Sequence, residues 1–308
     1  MINRVLIRLR VVQMLFSSYH QGGSQSIQKT ENELLFSLQK SYDLYHYLLG
    51  LLMVLTECYN QRLDSRRAKH LPTDDDINPN TRLINNRFIA SLQRNEMLQK
   101  YLNERPFLWT DHDVFLKNLL DTILSSDTYR EYINNPEDNF EIDKEFWRKC
   151  FKQIICNSEE LFNLLEDESL YWNDDIDIVL SFVLKTIKRI NEDAESNSLL
   201  PMFKDDSDKE FTVKLLRESM LNGFEYRSMI EKYTKNWESD RIAAMDMVIM
   251  QIAVTEILHF PSIPVNVTLN EYIDIAKSYS TQKSASFING VLDSIVKDLK
   301  DAGKIIKK

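Results

Sequence analysis

Glycine and proline are scarce in this chain, at 6 and 7 in 308 residues. Too few glycines remain to build a glycine-rich nucleotide-binding domain, and few residues can make the sharp turns of a β-rich fold. Cysteine is equally thin: Cys58, Cys150 and Cys156 form an odd set with no C-x-x-C spacing. That excludes a zinc ribbon and predicts a reduced, cytoplasmic protein. No run of 18 apolar residues occurs. The best candidate, Leu48 to Leu55, is too short to span a bilayer, and no signal peptide is evident. His20, His46, His70, His112 and His259 are scattered, and no phosphate loop, H-E-x-x-H or triad spacing appears. Asp74, Asp75 and Asp76 read as a solvated acidic loop rather than a cation site. The chain is therefore expected to be no enzyme and to hold no metal or cofactor.

What is present is long polar–apolar periodicity rich in Leu, Ile, Lys, Glu and Asn. It predicts an all-α protein with core enough for one large domain or two smaller ones. The net charge of −9 argues against a generally nucleic-acid-binding surface. Its distribution is uneven: +3 over residues 1–20, −4 over 21–140, −7 over 141–201 and −1 over 202–308. Any RNA surface must be local, and the N-terminal helix is the first candidate.

Val5, Leu9, Val12, Phe16 and Tyr19 mark one face of a helix over 2–20, with Arg4 and Arg8 one turn apart on its flank. Residues 28–63 read as one long helix or a broken pair. Residues 62–86 read as a mobile polar connector, basic at first (Arg62, Arg66, Arg67, Lys69) and then acidic. Helices follow at about 86–103, 111–126 and 127–134. An internal echo then appears. Lys144-Glu145-Phe146, Asn157, Trp172 and Asp175 recur 65 residues later as Lys209-Glu210-Phe211, Asn222, Trp237 and Asp240. Phe115 to Tyr129 is a weaker third copy. This predicts a reused helical hairpin. The helix at 240–258 is apolar nearly all round and should be central. Thr268-Leu-Asn-Glu271 fits a capping box, and the last helix runs from Ser284 to Leu299, ahead of a basic tail at 300–308.

The most specific stretch runs from Asp240-Arg241 through Ala253-x-x-Glu256-Ile257-Leu258, Ile263-Pro264, Asn270-Glu271 and Ala276-Lys277 to Phe287-x-Asn289-Gly290-x-Leu292-Asp293. It resembles the C-terminal half of the NusB family of transcription antitermination factors. Arg4, Arg8, Val12-Gln13 and Leu15-Phe16 resemble the family's opening helix. The resemblance implies a two-subdomain helical bundle: a first helix at 1–20, a helical insertion at 21–206 and a C-terminal domain at 207–299. It implies binding of boxA-like single-stranded RNA together with the ribosomal protein NusE, within the transcription elongation complex and chiefly in ribosomal RNA synthesis. No membrane partner is implied. A protein–protein scaffold of that complex without direct RNA binding is the alternative.

By the same resemblance, Arg4 and Arg8 face RNA, and Lys277, Ser280, Thr281, Gln282 and Lys283 form a candidate RNA loop that otherwise reads as a plain cap. Phe16 and Asp246 face NusE; the other reading of Asp246 is a pair with an internal Arg. Asn289 is expected to bond the backbone near the Pro264 turn. The chain departs from the family's common S-F-G with Ser278-Tyr279-Ser280, and Lys283 stands where relatives often carry an acid.

Overall fold

In the computed structural model, which describes every residue except 23–25, 108, 194–198, 235–241, 282 and 306–308, Asn3 opens the first helix. Its side-chain oxygen accepts from the Leu6 N–H at 2.9 Å, satisfying one of the free donors of a helix start. This helix, α1, spans Arg4–His20. It buries more than one face: Leu6, Ile7, Leu9, Val11, Val12 and Leu15 are inside, and so are Arg8 and Arg10. The single apolar stripe expected from sequence is thereby corrected, since Val5 is exposed and Phe16 half-buried. Neighbours on several sides of α1 are the physical reason.

The described helices continue as α2 (Ile27–Arg67), α3 (Asp74–Ile77), α4 (Arg87–Arg94), α5 (Glu96–Glu104), α6 (Asp113–Ser125), α7 (Asp127–Asn134), α8 (Phe140–Gln153), α9 (Glu159–Glu168) and α10 (Ile176–Arg189). They end with α11 (Asp206–Leu221), α12 (Gly223–Thr234), α13 (Ala244–His259), α14 (Val265–Tyr279) and α15 (Ser284–Asp301). No strand is found among the described residues, only an isolated bridge between Ile2 and Phe203. The all-α expectation holds.

The chain divides into two compact units. One comprises residues 39–202 with Met1; the other comprises residues 2–38 and 203–308. In the first, the core is built of leucines and large aromatic residues, among them Tyr45, Phe88, Trp147 and Phe151, all fully buried. The connector is shorter and better fastened than the sequence suggested. Residues 62–67 are the last turns of α2, and α3 follows. Asp76 accepts from Arg66 Nε at 2.7 Å, Lys69 Nζ at 3.1 Å and the Thr73 N–H at 3.1 Å, so the basic and acidic halves of the connector bind each other. Asn95 splits the expected 86–103 helix into α4 and α5 by leaving one and capping the next, its side chain accepting from Leu98 N–H at 3.0 Å.

In the second unit α13 is the central element, packed against α1, α11, α12, α14 and α15. Its run Val248–Ile257 is wholly buried, as its apolar composition predicts. Helices α11 and α13 are antiparallel, with Lys214 bonded to the His259 carbonyl at 3.1 Å and Ser219 to Thr255 at 3.1 Å. The expected capping box at Thr268 is absent. Helix α14 starts one turn earlier, after Pro264, so Thr268 and Glu271 lie within it and serve tertiary contacts. Proline fits a helix start because it has no N–H to leave unpaired. The described part of the tail is fastened to the helix: Gly303, at φ 66°, closes α15, the Lys304 N–H reaches the Leu299 carbonyl at 2.9 Å, and Ile305 is buried. Asn289 donates to Asp293 at 3.0 Å rather than to the Pro264 turn.

Candidate functional site

Arg8 is not on the surface. Its guanidinium is buried against Glu256 of α13, with Nε and Nη2 each 2.8 Å from a different carboxylate oxygen. Nη1 lies 3.3 Å from Glu271 of α14. The Glu256 carboxylate also accepts from Thr268 Oγ1 at 2.8 Å and from Tyr272 OH at 3.0 Å. Each Glu256 oxygen thus accepts two hydrogen bonds, the condition under which a charge tolerates full burial. Burial works against the Arg8 charge, but the bonds and charges of Glu256, with Tyr272 and Glu271, outweigh it and strengthen its hold on the proton. Burial and Glu256 push the Tyr272 hydroxyl well above its ordinary range. The flank position expected for Arg8 is therefore corrected. On a helix enclosed from several sides, a cation four residues from Arg4 faces the core.

Arg4 stays partly exposed. It pairs with Asp208 in the first turn of α11 at 2.9 Å and lies over the Phe211 ring at 5.0 Å. Helices α1 and α11 run side by side in the same direction: Arg4 meets Asp208, and a Cβ on Gly223 would stand 2.9 Å from Tyr19 OH. Since α13 opposes α11, Arg4 lies toward the His259 end of α13.

The other candidates gather at the opposite end. Asp246, in the first turn of α13, is buried, and its Oδ1 accepts from Ser280 Oγ. No internal arginine reaches it among the described contacts. Ser284 Oγ lies 3.0 Å from Ser280 Oγ and 2.8 Å from Thr281 Oγ1. Thr281 is exposed; Lys283 is exposed at the N-cap position of α15. Lys277 is exposed and paired with Asp274 at 2.7 Å. Gln282 falls outside the described residues, as do Trp237, Asp240 and Arg241. Phe16 sits in the last turns of α1, its ring centroid 4.2 Å from that of His20.

The residues named from sequence thus split into two places. Asp246 and His259 are thirteen residues apart on α13, which is about 20 Å of helix. Arg4 is at one end; Asp246, Ser280, Thr281 and Lys283 are at the other. The join between the expected partner residue Asp246 and the expected RNA residue Ser280 was invisible in sequence, because 34 residues separate them. Ser284 was missed altogether; its signal was the hydroxyl-rich run Ser278 to Ser284.

Among the described residues no group of His, Cys, Asp or Glu is arranged to hold a metal ion, and no helix is long and apolar enough to cross a membrane. The three cysteines are free, Cys150 fully buried.

Comparison with known proteins agrees with the motif reading. Residues 179–297 match the model of the NusB family. The match starts within α10, upstream of residue 207, and so takes in residues assigned to the insertion by sequence motifs. The chain is 43% identical over 108 residues to the transcription antitermination protein NusB of Salinibacter ruber, covering 35% of this chain and 68% of that one. It is 35% identical over 130 residues to the NusB of Clostridium kluyveri, covering 40% and 83%. With the NusB of Acetivibrio thermocellus it shares 33% over 123 residues, covering 40% and 85%. No solved structure matches the chain. Three relatives matched over most of their own length, with most of this chain left over, place it plainly: it is a member of the NusB family carrying a large additional helical region.

Proposed function

We propose that this chain works as a transcription antitermination factor by binding boxA-like single-stranded RNA together with NusE, chiefly during ribosomal RNA transcription. The reading is one of binding rather than catalysis. One observation carries the RNA part. Lys283 stands at the N-cap of α15, with no ion pair among the described residues, beside the exposed Thr281. A cation beside the positive end of a helix is electrostatically unfavourable on its own, and both it and the free N–H groups there favour an arriving phosphate. Arg4 is a second, weaker phosphate contact at the far end of α13, already shared with Asp208. Arg8 is left out of the RNA surface because it is committed to Glu256.

Phe16, half-buried beside His20, and Asp246, buried and bonded to Ser280, are the residues this reading assigns to NusE. The test is a salt titration of RNA binding, with and without NusE. Phosphate contacts by Lys283 and Arg4 give a log–log slope of about −1 to −2. A salt-independent affinity, or none in the presence of NusE, removes the RNA reading. The alternative scaffold without direct RNA contact is favoured by the same geometry: of the cations named from sequence, Arg8 is buried and Arg4 and Lys277 are paired with acids. Retained NusE binding with no RNA binding is its signature.

A further inference from the structure

We infer that the unit of residues 39–202 carries a docking surface for a basic protein segment. Leu170, Val114 and Phe107 receive an apolar side chain of that segment, and the acids around them receive its flanking lysines or arginines. This goes beyond the reading above and is independent of it, because every residue assigned there to RNA or NusE lies in the other unit.

Two apolar side chains stand out into solvent here: Leu170 is 83% exposed and Val114 is 71% exposed. Leu170 sits in the turn after α9, which the Trp172 N–H closes on the Ser169 carbonyl at 3.0 Å. Val114 is in the first turn of α6. His112 joins the two segments. Its Nε2 is 3.4 Å from Glu168, two residues before Leu170, and it precedes Val114 by two. The half-buried Phe107 ring contacts both, stacked on His112 at 5.7 Å and edge-on to Trp172 at 5.8 Å. The floor beneath is fixed. Trp109 and Trp172 are buried, and their indole N–H groups donate to the Tyr47 and Lys40 carbonyls, each at 2.9 Å. A single exposed leucine is ordinary, but apolar side chains joined over a rigid aromatic floor form a preorganised contact.

Charge selects the partner. Residues 153–184 hold eight acids and no Lys or Arg. Beside the apolar residues, Glu166 and Asp167 on α9 and Asp111 next to His112 are exposed, with no ion pair among the described residues. The neighbouring cations are Lys40, Arg105 and Lys117. Lys117 is paired with Asp113 at 2.5 Å, and Arg105 donates to the Tyr101 hydroxyl at 3.1 Å and stands 3.7 Å from Asp43. An acidic rim of this kind repels nucleic acid and a second copy of this acidic chain, and it attracts a basic segment. Exposed ion pairs alone hold weakly, so the apolar side chain between them supplies most of the affinity.

The test is fluorescence anisotropy of two short labelled peptides on the full chain. One is lysine-rich with a central leucine; in the other, alanine replaces the leucine. The leucine peptide should bind the unaltered chain roughly three- to ten-fold more tightly, the range of one partly buried apolar side chain. Leu170→Ser and Val114→Ser should each remove most of that preference and leave binding of the alanine peptide unchanged. Asp111→Asn with Asp167→Asn should weaken both peptides and flatten their salt dependence. Phe224→Ser removes a ring that is 81% exposed in the other unit and should change neither peptide. Each of these positions is exposed, so the fold is not at stake. The inference is overturned by equal binding of the two peptides or by no binding of either. It is equally overturned by a leucine preference that survives Leu170→Ser and Val114→Ser, by one that Phe224→Ser also removes, or by a salt dependence that the paired Asp variants leave unchanged. None of these outcomes bears on RNA or NusE binding by the other unit.

Discussion

Helices α8, α9 and α10 in one unit and α11, α12 and α13 in the other share a pattern of buried positions, and they differ in what they bury. At an offset of 65 residues their interiors run in register. Asp143 and Asp208, Phe146 and Phe211, Cys150 and Leu215, Leu161 and Tyr226, Leu165 and Ile230, Val183 and Val248, and Ile187 and Ile252 are all buried. Each set has a helix opened by Asn-Arg against its buried aspartate. Asn3 caps α1, and Arg4 donates to Asp208 at 2.9 Å. Asn86 caps α4, and the Arg87 N–H donates to Asp143 at 2.8 Å. Four residues on, the sets part. Arg8 and Glu256 form the buried ion pair, whereas the corresponding positions are Ser91 and Asn191. Ser91 is buried but content with its own helix, donating to the Phe88 carbonyl at 2.7 Å. A buried ion pair is absent as a pair, because either half alone is the expensive state. Trp172 of the first set is buried and donates to the Lys40 carbonyl at 2.9 Å; its counterpart Trp237 lies outside the described residues.

The largest expected effect tests this difference. Arg8→Ala strands the Glu256 carboxylate and should cost about 3–5 kcal/mol in urea unfolding. Ser91→Ala, at the matching place, should cost under about 1 kcal/mol. Equal costs would mean that Arg8 gains nothing from its pair with Glu256 that Ser91 lacks.

Acid separates the units next. His46, in the unit of residues 39–202, lies flat on the Tyr101 ring at 3.6 Å and donates to the Tyr42 carbonyl at 2.8 Å. Burial first, and the Arg105 charge in addition, lower its pKa to about 4. The folded state thus prefers the neutral ring, so its contribution is complete above pH 6.5 and is lost as pH falls from about 6.5 toward 4. The loss is on the order of 3 kcal/mol. His46→Phe should flatten the stability profile over that window. A profile that keeps its slope in the variant would assign the acid sensitivity elsewhere.

A smaller effect is expected at Gly223, where an added Cβ would stand 2.9 Å from both Gln251 Nε2 and Tyr19 OH. Gly223→Ala should cost about 1 kcal/mol by thermal unfolding, crowding exceeding the gain in helix propensity. The corresponding residue in the other set, Ser158, has room for its side chain and caps α9, accepting from the Leu161 N–H at 3.2 Å. Smallest are the surface cations. Lys283→Ala should lower the salt slope of RNA binding by about one, and Arg4→Ala by less, because Asp208 already neutralises it.

The elements that could be read from sequence are those whose signal is local. The all-apolar run of α13 announced a central helix, and Asp127–Asn134 was legible to the residue because Ser126 caps it. Arg8 was not legible. A buried arginine and an exposed one look alike on a periodic helix until the partner is known, and Glu256 is 248 residues away. Thr268 and Glu271 misled for a related reason. The capping-box spacing arises here from two separate long-range duties, to Glu256 and to Arg8. The loop at 280–284 was legible as a polar turn, but not the carboxylate that orders it.

The unit that holds Arg8 is discontinuous in sequence, with residues 39–202 between its two parts. On the ribosome, α1 emerges well before α13 and must wait for it before its arginine finds Glu256. At about 5–20 residues per second that interval is on the order of ten seconds or more. The intervening unit is nearly continuous and can fold during the wait. It thereby shortens the effective loop between α1 and α13, whose closure would otherwise be entropically costly and slow. Until then α1 is an apolar helix with an uncompensated charge on its inward side. That charge makes it a poor fit to any apolar surface that offers no carboxylate.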